Sequence, residues 1–313
     1  MRICVIFNPA ARGNKARNFR RQLDAIGAQC ALKATAGPGD ARRLAAEAVD
    51  DGFDVIVAAG GDGTVNEVLN GIGDAPDGFA RARLGMLPLG TVNVFARELK
   101  IPLRLERAWE AVQHGGETKI DLARVDFSEN GKSQRRYFVQ LAGAGFDARA
   151  IELVDWEHKK KVGPLAYVIA GLKALREQKA RVVVRIDEQA KPGGAMLRAP
   201  DAAGEDLNGE LVLIGNGKFY GGPYQIFPGA DMRDGLLDVC VLPRVDWPTL
   251  LRCMPVFAAR QRLAESQVRR FRTASFELSS DKPSSFELDG EWVGHLPAKC
   301  SVEKGRLRVV GPV

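Results

Sequence analysis

The sequence feature that most constrains the fold is a glycine-rich segment at residues 59–71, AGGDGTVNEVLNG. An apolar run from Asp54 to Ala59 precedes it and predicts a short buried strand. Thr64 and Glu67 have the spacing of a capping box, which predicts a helix that begins at Thr64. The glycines of the segment therefore fill a tight turn between a strand and a helix, an arrangement typical of α/β proteins.

The same turn has the chemistry of an anion-binding site. Glycines let backbone N–H groups come close to an anion, and the helix N-terminus adds the positive end of its dipole. Asp62 would repel a bare phosphate, but a Mg²⁺ ion between its carboxylate and the phosphates would convert the repulsion into binding. The alternative is a structural turn with a solvated Asp62, and the glycines alone do not separate these interpretations.

Strand and helix patterns alternate over the first 122 residues, and Asp40 is predicted to cap the second helix. Repeated strand–helix–strand units predict a doubly wound parallel sheet, with ligands outside the carboxyl ends of its strands. Asn8, Asp62 and Thr91 each follow such an end, so we expect them to converge on one site. The predicted strands are 3–7, 29–35, 54–59 and 83–87, and the predicted helices are 14–26, 40–51, a helix after residue 63 and 93–100.

The pattern changes after Asp121, where short apolar runs dominate and predict a mostly antiparallel, β-rich, sandwich-like second domain that also carries helices. We place the first domain at 1–122 and the second at 123–313, whose last residues can pack back on the first. Residues 191–208 predict a mobile surface loop, and 143–148 a close approach of backbone. The predicted strands are 137–141, 181–186, 210–214, 236–242, 275–278, 285–288 and 306–310, and the predicted helices 160–178 and 246–262.

Composition excludes several classes of protein. Apolar residues make up 45% and charged residues 27% of the 313 residues, which is ordinary for a globular chain. No apolar run approaches the roughly 20 residues of a membrane span, and the first residues lack a signal-peptide pattern, so we expect a cytoplasmic location. The five cysteines are widely spaced without a CxxC motif, which argues against a disulfide framework or a zinc site and predicts reduced core residues.

Positive residues cluster in three stretches although the formal net charge is only +6. Such clusters attract polyanions, and solvated helix faces are the alternative. Aromatic residues are few and are not interleaved with the basic runs, so no nucleic-acid partner is expected. The stretches are 12–21, 158–161 and 260–272.

Five motifs occur in order along the chain: NPAARG at 8–13, GGDGTVNE at 60–67, PLGTVNVFAR at 88–97, DMRDGLLD at 231–238 and LDGE at 288–291. Their order and spacing resemble the diacylglycerol kinase and sphingosine kinase superfamily, in particular its bacterial soluble lipid kinases. The resemblance covers nearly the whole chain. The glycine motif alone would not suffice, because NAD kinases and phosphofructokinase-like enzymes have a similar one.

The resemblance implies an ATP- and Mg²⁺-dependent kinase that phosphorylates a lipid hydroxyl in a cleft between the domains. It implies a catalytic acidic pair, Asp289 and Glu291, one of which accepts the hydroxyl proton. It also implies a structural metal site at Asp231, Asp234 and Leu236, the last through its backbone carbonyl. The residues implied to hold ATP are Asn8, Gly13, Lys15, Thr35, Gly60, Gly61, Asp62, Gly63, Thr64, Asn66, Glu67 and Thr91.

Position 94 departs from the diacylglycerol kinase pattern. Those enzymes typically have Asp where this chain has Val94, and that Asp forms a hydrated acidic network with the residues that match Asp62 and Asp121. Sphingosine and ceramide kinases tolerate a small apolar residue there. Two alternatives stay open: a non-catalytic nucleotide or lipid sensor of the same fold, and an NAD-kinase-like enzyme with a soluble substrate.

A lipid substrate requires an apolar slot and access to a membrane surface. The apolar stretches 165–175 and 250–259 lie beside basic residues in the sequence, which predicts transient contact with an anionic membrane. Core helices are the alternative interpretation of both stretches. A homodimer is compatible with the sequence, which does not determine the oligomeric state.

Overall fold

A computed structural model describes residues 1–9, 14–154, 165–177, 179–187, 207–220, 222, 224–249 and 268–311. Gly13, the basic residues at 158–161, most of the predicted loop 191–208 and most of the predicted helix 246–262 lie outside these ranges. The chain forms two compact units. The first consists of Met1–Leu122, Tyr137–Val139 and Lys304–Val313, and the second of Ala123–Arg136 and Gln140–Glu303.

The first unit alternates strands and helices along the chain. Its strands are β1 (Ile3–Phe7), β2 (Ala31–Ala34), β3 (Val55–Gly60) and β4 (Arg83–Pro88). Its helices are α1 (Asn14–Arg21), α2 (Leu23–Gly27), α3 (Asp40–Asp50), α4 (Asp62–Asp74), α5 (Gly78–Arg81), α6 (Val94–Glu98) and α7 (Leu105–His114). The strands β5 (Glu117–Glu129), β6 (Lys132–Phe138) and β18 (Ala298–Val310) contribute residues to both units.

The sheet of the first unit has the strand order β2-β1-β3-β4, and the end of β18 pairs with β4 through Val309 and Leu84. All of these pairs are parallel. The predicted parallel sheet is therefore confirmed, and its carboxyl ends lie at one edge.

Alternate residues of β1 and β3 face helices on opposite sides of the sheet. Val5 and Val57 pack in one cluster with Phe19 of α1 and Trp109 of α7, whereas α3 and α4 contact the strands from the other side. Because burying one Val or Ile side chain contributes roughly 1.5–3 kcal/mol, covering both faces explains why these strands are continuous apolar runs.

Helix α4 begins at Asp62, two residues before the predicted start at Thr64, so the predicted capping box is wrong. Its N-cap is Gly61 in an extended conformation, which places Thr64 and Glu67 inside the helix. The Glu67 carboxylate instead accepts the backbone N–H of Ala41 at 3.0 Å, at the start of α3. The glycines tighten the turn enough for the helix to begin earlier than the side-chain pattern indicates.

Two other helix boundaries also differ from the prediction. The predicted helix 14–26 is interrupted at Gln22, which separates α1 from α2. Asp40 is the first residue of α3 and not its cap, because Gly39 takes the N-cap position with a φ of 83°. The Asp40 carboxylate accepts the backbone N–H of Ala36 at 2.7 Å and so fastens the preceding loop.

The second unit is rich in short strands. These are β7 (Leu141–Gly145), β8 (Val182–Ile186), β9 (Leu207–Gly209), β10 (Leu211–Gly215), β11 (Phe219–Tyr220), β12 (Tyr224–Gln225), β13 (Leu237–Leu242), β14 (Arg269–Thr273), β15 (Ser275–Ser280), β16 (Ser285–Leu288) and β17 (Glu291–His295). Its helices among the described residues are α8 (Phe146–Glu152) and α9 (Leu165–Arg176), and the described residues 247–249 are also helical.

One sheet of this unit has the order β14-β13-β10-β7-β16-β17, and every pair in it is antiparallel. A second antiparallel arrangement joins the start of β18 to β15, β8 and β9. The prediction of a β-rich, sandwich-like second part with helices is confirmed. Strand β7 is buried along its whole length between β10 and β16.

Some strand predictions in this part were wrong. The segment 137–141 is not one strand, because Tyr137 and Phe138 end β6 whereas Leu141 begins β7. Asn208, predicted to be in the loop, lies in β9. Strands β5, β14 and β17 were not predicted, because their many polar residues hide the alternation that marks a half-buried strand.

Two expectations from composition can be examined on the described residues. None of their helices combines the length and the apolar character required to cross a membrane. Cys4, Cys240 and Cys300 are buried and unbridged. Burial raises the pKa of the Cys4 thiol to about 11, so this thiol stays protonated near neutral pH, as expected for a reduced core residue.

Candidate active site

The turns after β3 and β4 come into close backbone contact at the carboxyl edge of the first sheet. The backbone N–H groups of Leu89 and Gly90 donate to the Gly60 carbonyl at 3.0 and 3.2 Å. A Cβ on Gly90 would lie 2.5 Å from the Gly61 Cα, so a side chain at position 90 would push the two turns apart. The glycines therefore allow the two turns to come close together, in addition to any role in binding a ligand.

Asp62 links these two turns through its side chain. It is the first residue of α4 and half-buried, and its Oδ1 accepts the backbone N–H of Phe95 at 3.1 Å. Asn93 supports the same junction, because it adopts a φ of 53° and its side-chain amide donates to the Gly90 carbonyl at 2.7 Å. An acidic residue in the first turn is also favoured by the helix dipole. The edge is thus pre-organised before any ligand binds.

Other residues implied to hold ATP are distributed around this edge. Asn8 is exposed just after β1, Thr91 is exposed in the turn before α6, and Thr35 follows β2 with its N–H donating to the Phe7 carbonyl at 2.9 Å. Gly63 lies in the first turn of α4. The structure places these residues after adjacent strands, whereas Gly13 lies outside the described residues and Lys15 is described only by its backbone, in α1.

Asn66 is buried and Thr64 is half-buried near the start of α4. A Cβ on Gly60 would lie 2.2 Å from the Thr64 Oγ1, so the hydroxyl sits directly against the glycine turn. Asn66 is buried and its side-chain amide donates to the Tyr137 carbonyl at 3.3 Å. Together with Glu67, which holds the start of α3, these side chains fasten the N-terminal part of α4 to its neighbours.

The acidic network implied for Asp62, position 94 and Asp121 is reduced in this chain. Val94 is buried in α6, and the fully buried Asp121 accepts the backbone N–H of Gly305 at 2.7 Å. Among the described residues, no group of three or more His, Cys, Asp or Glu side chains is arranged to hold a metal ion. Asp62 alone still fits a Mg²⁺ ion that is bound mainly by phosphates, since such ions need only one or two carboxylates.

The acidic pair of the second unit lies on a hairpin between β16 and β17. Asp289 and Gly290 have φ angles of 50° and 88°, which are the positive values of a type I′ turn. The Asp289 Oδ1 accepts the backbone N–H groups of Gln140 and Leu141 at 2.9 and 3.1 Å, and its own N–H donates to the Leu141 carbonyl at 2.7 Å. Asp289 therefore fastens the turn to β7, while Glu291 is half-buried at the start of β17.

A side-chain cation contacts Asp234, one of the residues of the implied metal site of the second unit. The Arg272 guanidinium contacts the Asp234 carboxylate and also lies 3.2 Å from the Asp238 Oδ2. Asp231 is exposed, and the Leu236 N–H donates to the Asp234 Oδ1 at 2.9 Å. The metal set Asp231, Asp234 and Leu236 stays a prediction, in which a metal ion would compete with Arg272 for Asp234.

Family models and relatives match the chain over almost its whole length. A model described as the diacylglycerol kinase catalytic domain matches residues 2–125, and one described as the YegS C-terminal NAD kinase beta sandwich-like domain matches residues 140–311. A diacylglycerol kinase of Staphylococcus saprophyticus is 30% identical, with 98% of this chain and 94% of the relative covered. A Stenotrophomonas maltophilia protein named "Probable lipid kinase YegS-like" is 34% identical, with 97% and 94% covered.

The chain belongs to the diacylglycerol kinase family of lipid kinases. Membership of a kinase family implies ATP as the phosphate donor of this lipid kinase. Two crystal structures from Bacillus anthracis that carry a diacylglycerol kinase designation share its fold, with TM-scores of 0.73 and 0.67 at 22% and 20% identity. Each alignment covers 99% of this chain, and 97% and 96% of the two solved chains.

Sequence reasoning missed several residues that shape the site of this lipid kinase. Asn93 is predicted at a helix start and within the motif at 88–97, but its contact with the turn after β4 is not predicted, although its amide holds that turn. Glu287 was read as part of a strand, although its side chain reaches the Asp289-Gly290 turn. The signal for Glu287 was present, because a charged residue between Phe286 and Leu288 interrupts an otherwise apolar strand directly before a turn.

Proposed function

We propose that this lipid kinase transfers the γ-phosphate of ATP to a hydroxyl group of a diacylglycerol, a sphingoid lipid or a related lipid. The observation that carries the proposal is the close contact of the turns after β3 and β4 at the carboxyl edge of a parallel sheet. Gly61 and Gly90 allow this contact, and Asp62 bridges the two turns through the Phe95 N–H. Transfer would take place in the inter-domain cleft that the family resemblance implies. The relatives named diacylglycerol kinase favour diacylglycerol as the first lipid to test.

The first unit would hold the phosphates of ATP with its main chain. The first backbone N–H groups of α4 have no partner within the helix, and the helix dipole favours negative charge at this end. Asp62 would hold Mg²⁺, which when bound neutralises phosphate charge in the transition state. Phosphoryl transfer requires positioning and charge neutralisation more than covalent catalysis, so these elements match the reaction.

The second unit would supply the general base. Asp289 already accepts two backbone N–H groups with one carboxylate oxygen, which suits a structural role in the turn. We therefore assign the base to Glu291, two residues further on. The lipid hydroxyl oxygen attacks the γ-phosphorus, the bond to the bridging oxygen breaks, ADP leaves with that electron pair, and the hydroxyl proton passes to the Glu291 carboxylate.

We further propose that the enzyme meets its substrate by transient contact with an anionic membrane. Two of the basic residues implicated by sequence have internal partners, because Arg270 donates to the Ile226 carbonyl and Arg272 pairs with Asp234. The exposed Arg269 and the basic residues at 158–161 remain the candidates for this contact. Contact of this kind weakens with salt, since exposed charges are screened beyond about 8 Å at physiological ionic strength.

The test is an assay with radiolabelled ATP and a panel of acceptors: dioleoylglycerol, sphingosine and ceramide in mixed micelles, and NAD in solution. Label in one of the lipids, with a rate on anionic vesicles that falls as salt rises, supports the proposal. Tight ATP binding with no labelled lipid would support the sensor alternative, and label only in NAD would support a soluble-substrate kinase.

A further inference from the structure

Glu287 contacts the turn that carries Asp289 and Glu291, although no prediction assigned it a role. It is a fully buried residue of β16, and its Oε2 accepts the backbone N–H of Gly290 at 2.7 Å. The pairing of β16 with β17 shifts register between Phe286 and Glu287. Such irregularities redirect a side chain and are over-represented next to active sites, and here the redirected side chain reaches the turn.

The neighbouring strand leaves room for this carboxyl group. Gly143 of β7 lies directly opposite Glu287 in the sheet. A Cβ on Gly143 would lie 2.8 Å from the Glu287 Oε1 and 2.9 Å from the Asp147 Oδ2, so the two oxygens are no more than about 6 Å apart. The absence of a side chain at position 143 therefore leaves space for two carboxyl groups, those of Glu287 and Asp147.

Burial, together with the nearby Asp147, raises the pKa of Glu287 well above its usual range. A protonated carboxyl group keeps an oxygen that can accept the Gly290 N–H, so the contact with the turn does not require the charge. The Glu287 Oε1 has no hydrogen-bond partner among the described residues. A buried polar group with this little compensation costs stability.

We propose that Glu287 is a positioning residue, whose hydrogen bond to Gly290 holds the type I′ turn so that Glu291 is presented in one orientation. Asp289 fastens the turn to β7 from one side, and Glu287 fastens the next residue from within β16. The inference rests on the proposed role of Glu291 as the base. It predicts that an uncharged acceptor at position 287 suffices.

Two substitutions separate the acceptor from the charge. Glu287→Met has a similar size but leaves the Gly290 N–H without its acceptor, so kcat for dioleoylglycerol should fall by roughly 100-fold, the cost of a misplacement of about 1 Å. KM for ATP should stay unchanged, because ATP is held by the first unit. Glu287→Gln has an uncharged acceptor at the same position, so its kcat should stay near the parent value. Glu277→Met, on the exposed side of β15, is the matched control.

Loss of kcat in Glu287→Met with recovery in Glu287→Gln supports the inference. Parent-like kcat in Glu287→Met, or equal impairment of both folded variants, overturns it. Where Glu287→Met does not fold, Gly143→Ala decides instead: its Cβ displaces the Glu287 head group, so a lower kcat at unchanged KM supports the inference and an unchanged kcat overturns it. Glu291→Gln measured in parallel shows separately whether the proposed base is correct.

Discussion

The candidate site residues of the first unit and those of the second unit form two parts that are built from different groups. In the first unit, main-chain atoms at the ends of β3 and β4 form the surface, and Gly61 and Gly90 let the two turns touch. In the second unit, a two-residue turn carries Asp289 and is followed directly by Glu291, and side-chain hydrogen bonds hold that turn in place. The first part should therefore be sensitive to added side chains, and the second to the loss of existing ones.

The largest effect is expected from Asp62→Asn. The amide oxygen can still accept the Phe95 N–H, so the fold should persist, but the charge that would hold Mg²⁺ is lost. We expect phosphoryl transfer to dioleoylglycerol to be abolished with an unchanged melting temperature, measured side by side. Asp77→Asn is the control, because this exposed carboxylate makes no cap hydrogen bond at the start of α5. Parent-like turnover with normal Mg²⁺ dependence would show that the glycine turn is only structural.

A substitution that adds one methyl group tests the main-chain part directly. In Gly90→Ala the new Cβ would lie 2.5 Å from the Gly61 Cα, so the turns must separate. A displacement of about 1 Å should lower kcat/KM for ATP by roughly 100-fold. Gly37→Ala is the matched control, because a Cβ there meets nothing within 4 Å. Normal ATP kinetics in Gly90→Ala would refute the close-approach argument.

The main-chain part was the more predictable from sequence. The apolar run before Gly60 and the glycines of the turn indicated the sheet edge, and the parallel sheet followed from the alternation of strands and helices along the chain. The start of α4 was misplaced because Thr64 and Glu67 have a capping spacing that the fold does not use. Local patterns identified the turn, but the contact of Glu67 with Ala41, 26 residues away, decided the role of that side chain.

The side-chain part depended on contacts between residues distant in sequence. The segment 137–141 was predicted as one strand, but β6 ends at Phe138 and β7 begins at Leu141. At this junction, the Gln140 N–H and the Leu141 N–H donate to the Asp289 carboxylate. Nothing in the sequence around Asp289 or around Gln140 and Leu141 indicates this contact. Arg272 was likewise read as a surface cation, because only the pairing of β14 with β13 places it opposite Asp238.

A smaller effect is expected at the departure from the family pattern. Val94 precedes Phe95, whose N–H donates to Asp62, so Val94→Asp would add a second carboxylate beside the proposed Mg²⁺ ligand. The Mg²⁺ concentration for half-maximal rate should fall several-fold. Val94→Asn has the same shape without the charge and should leave that concentration unchanged. An unchanged requirement in Val94→Asp would mean that the missing carboxylate does not limit Mg²⁺ use.

The smallest effect concerns the predicted metal site of the second unit. Arg272→Met leaves Asp234 and Asp238 without their cation, which should cost about 1 to 3 kcal/mol of unfolding free energy. Because a metal ion could then occupy Asp234, Mg²⁺ should raise the melting temperature of the variant more than that of the parent. Equal rises in the two proteins would exclude competition between Arg272 and a metal ion.

The central claim is that the first unit holds ATP while Glu291 of the second removes the lipid proton. The most direct measurement compares ATP affinity, by equilibrium binding, with turnover on dioleoylglycerol in Glu291→Gln and Asp289→Asn. Loss of the base should lower the turnover of Glu291→Gln by roughly 100-fold to 10,000-fold at unchanged ATP affinity. Asp289→Asn, which keeps an oxygen for the Gln140 and Leu141 N–H groups, should lose much less. Unchanged turnover in Glu291→Gln would contradict the account.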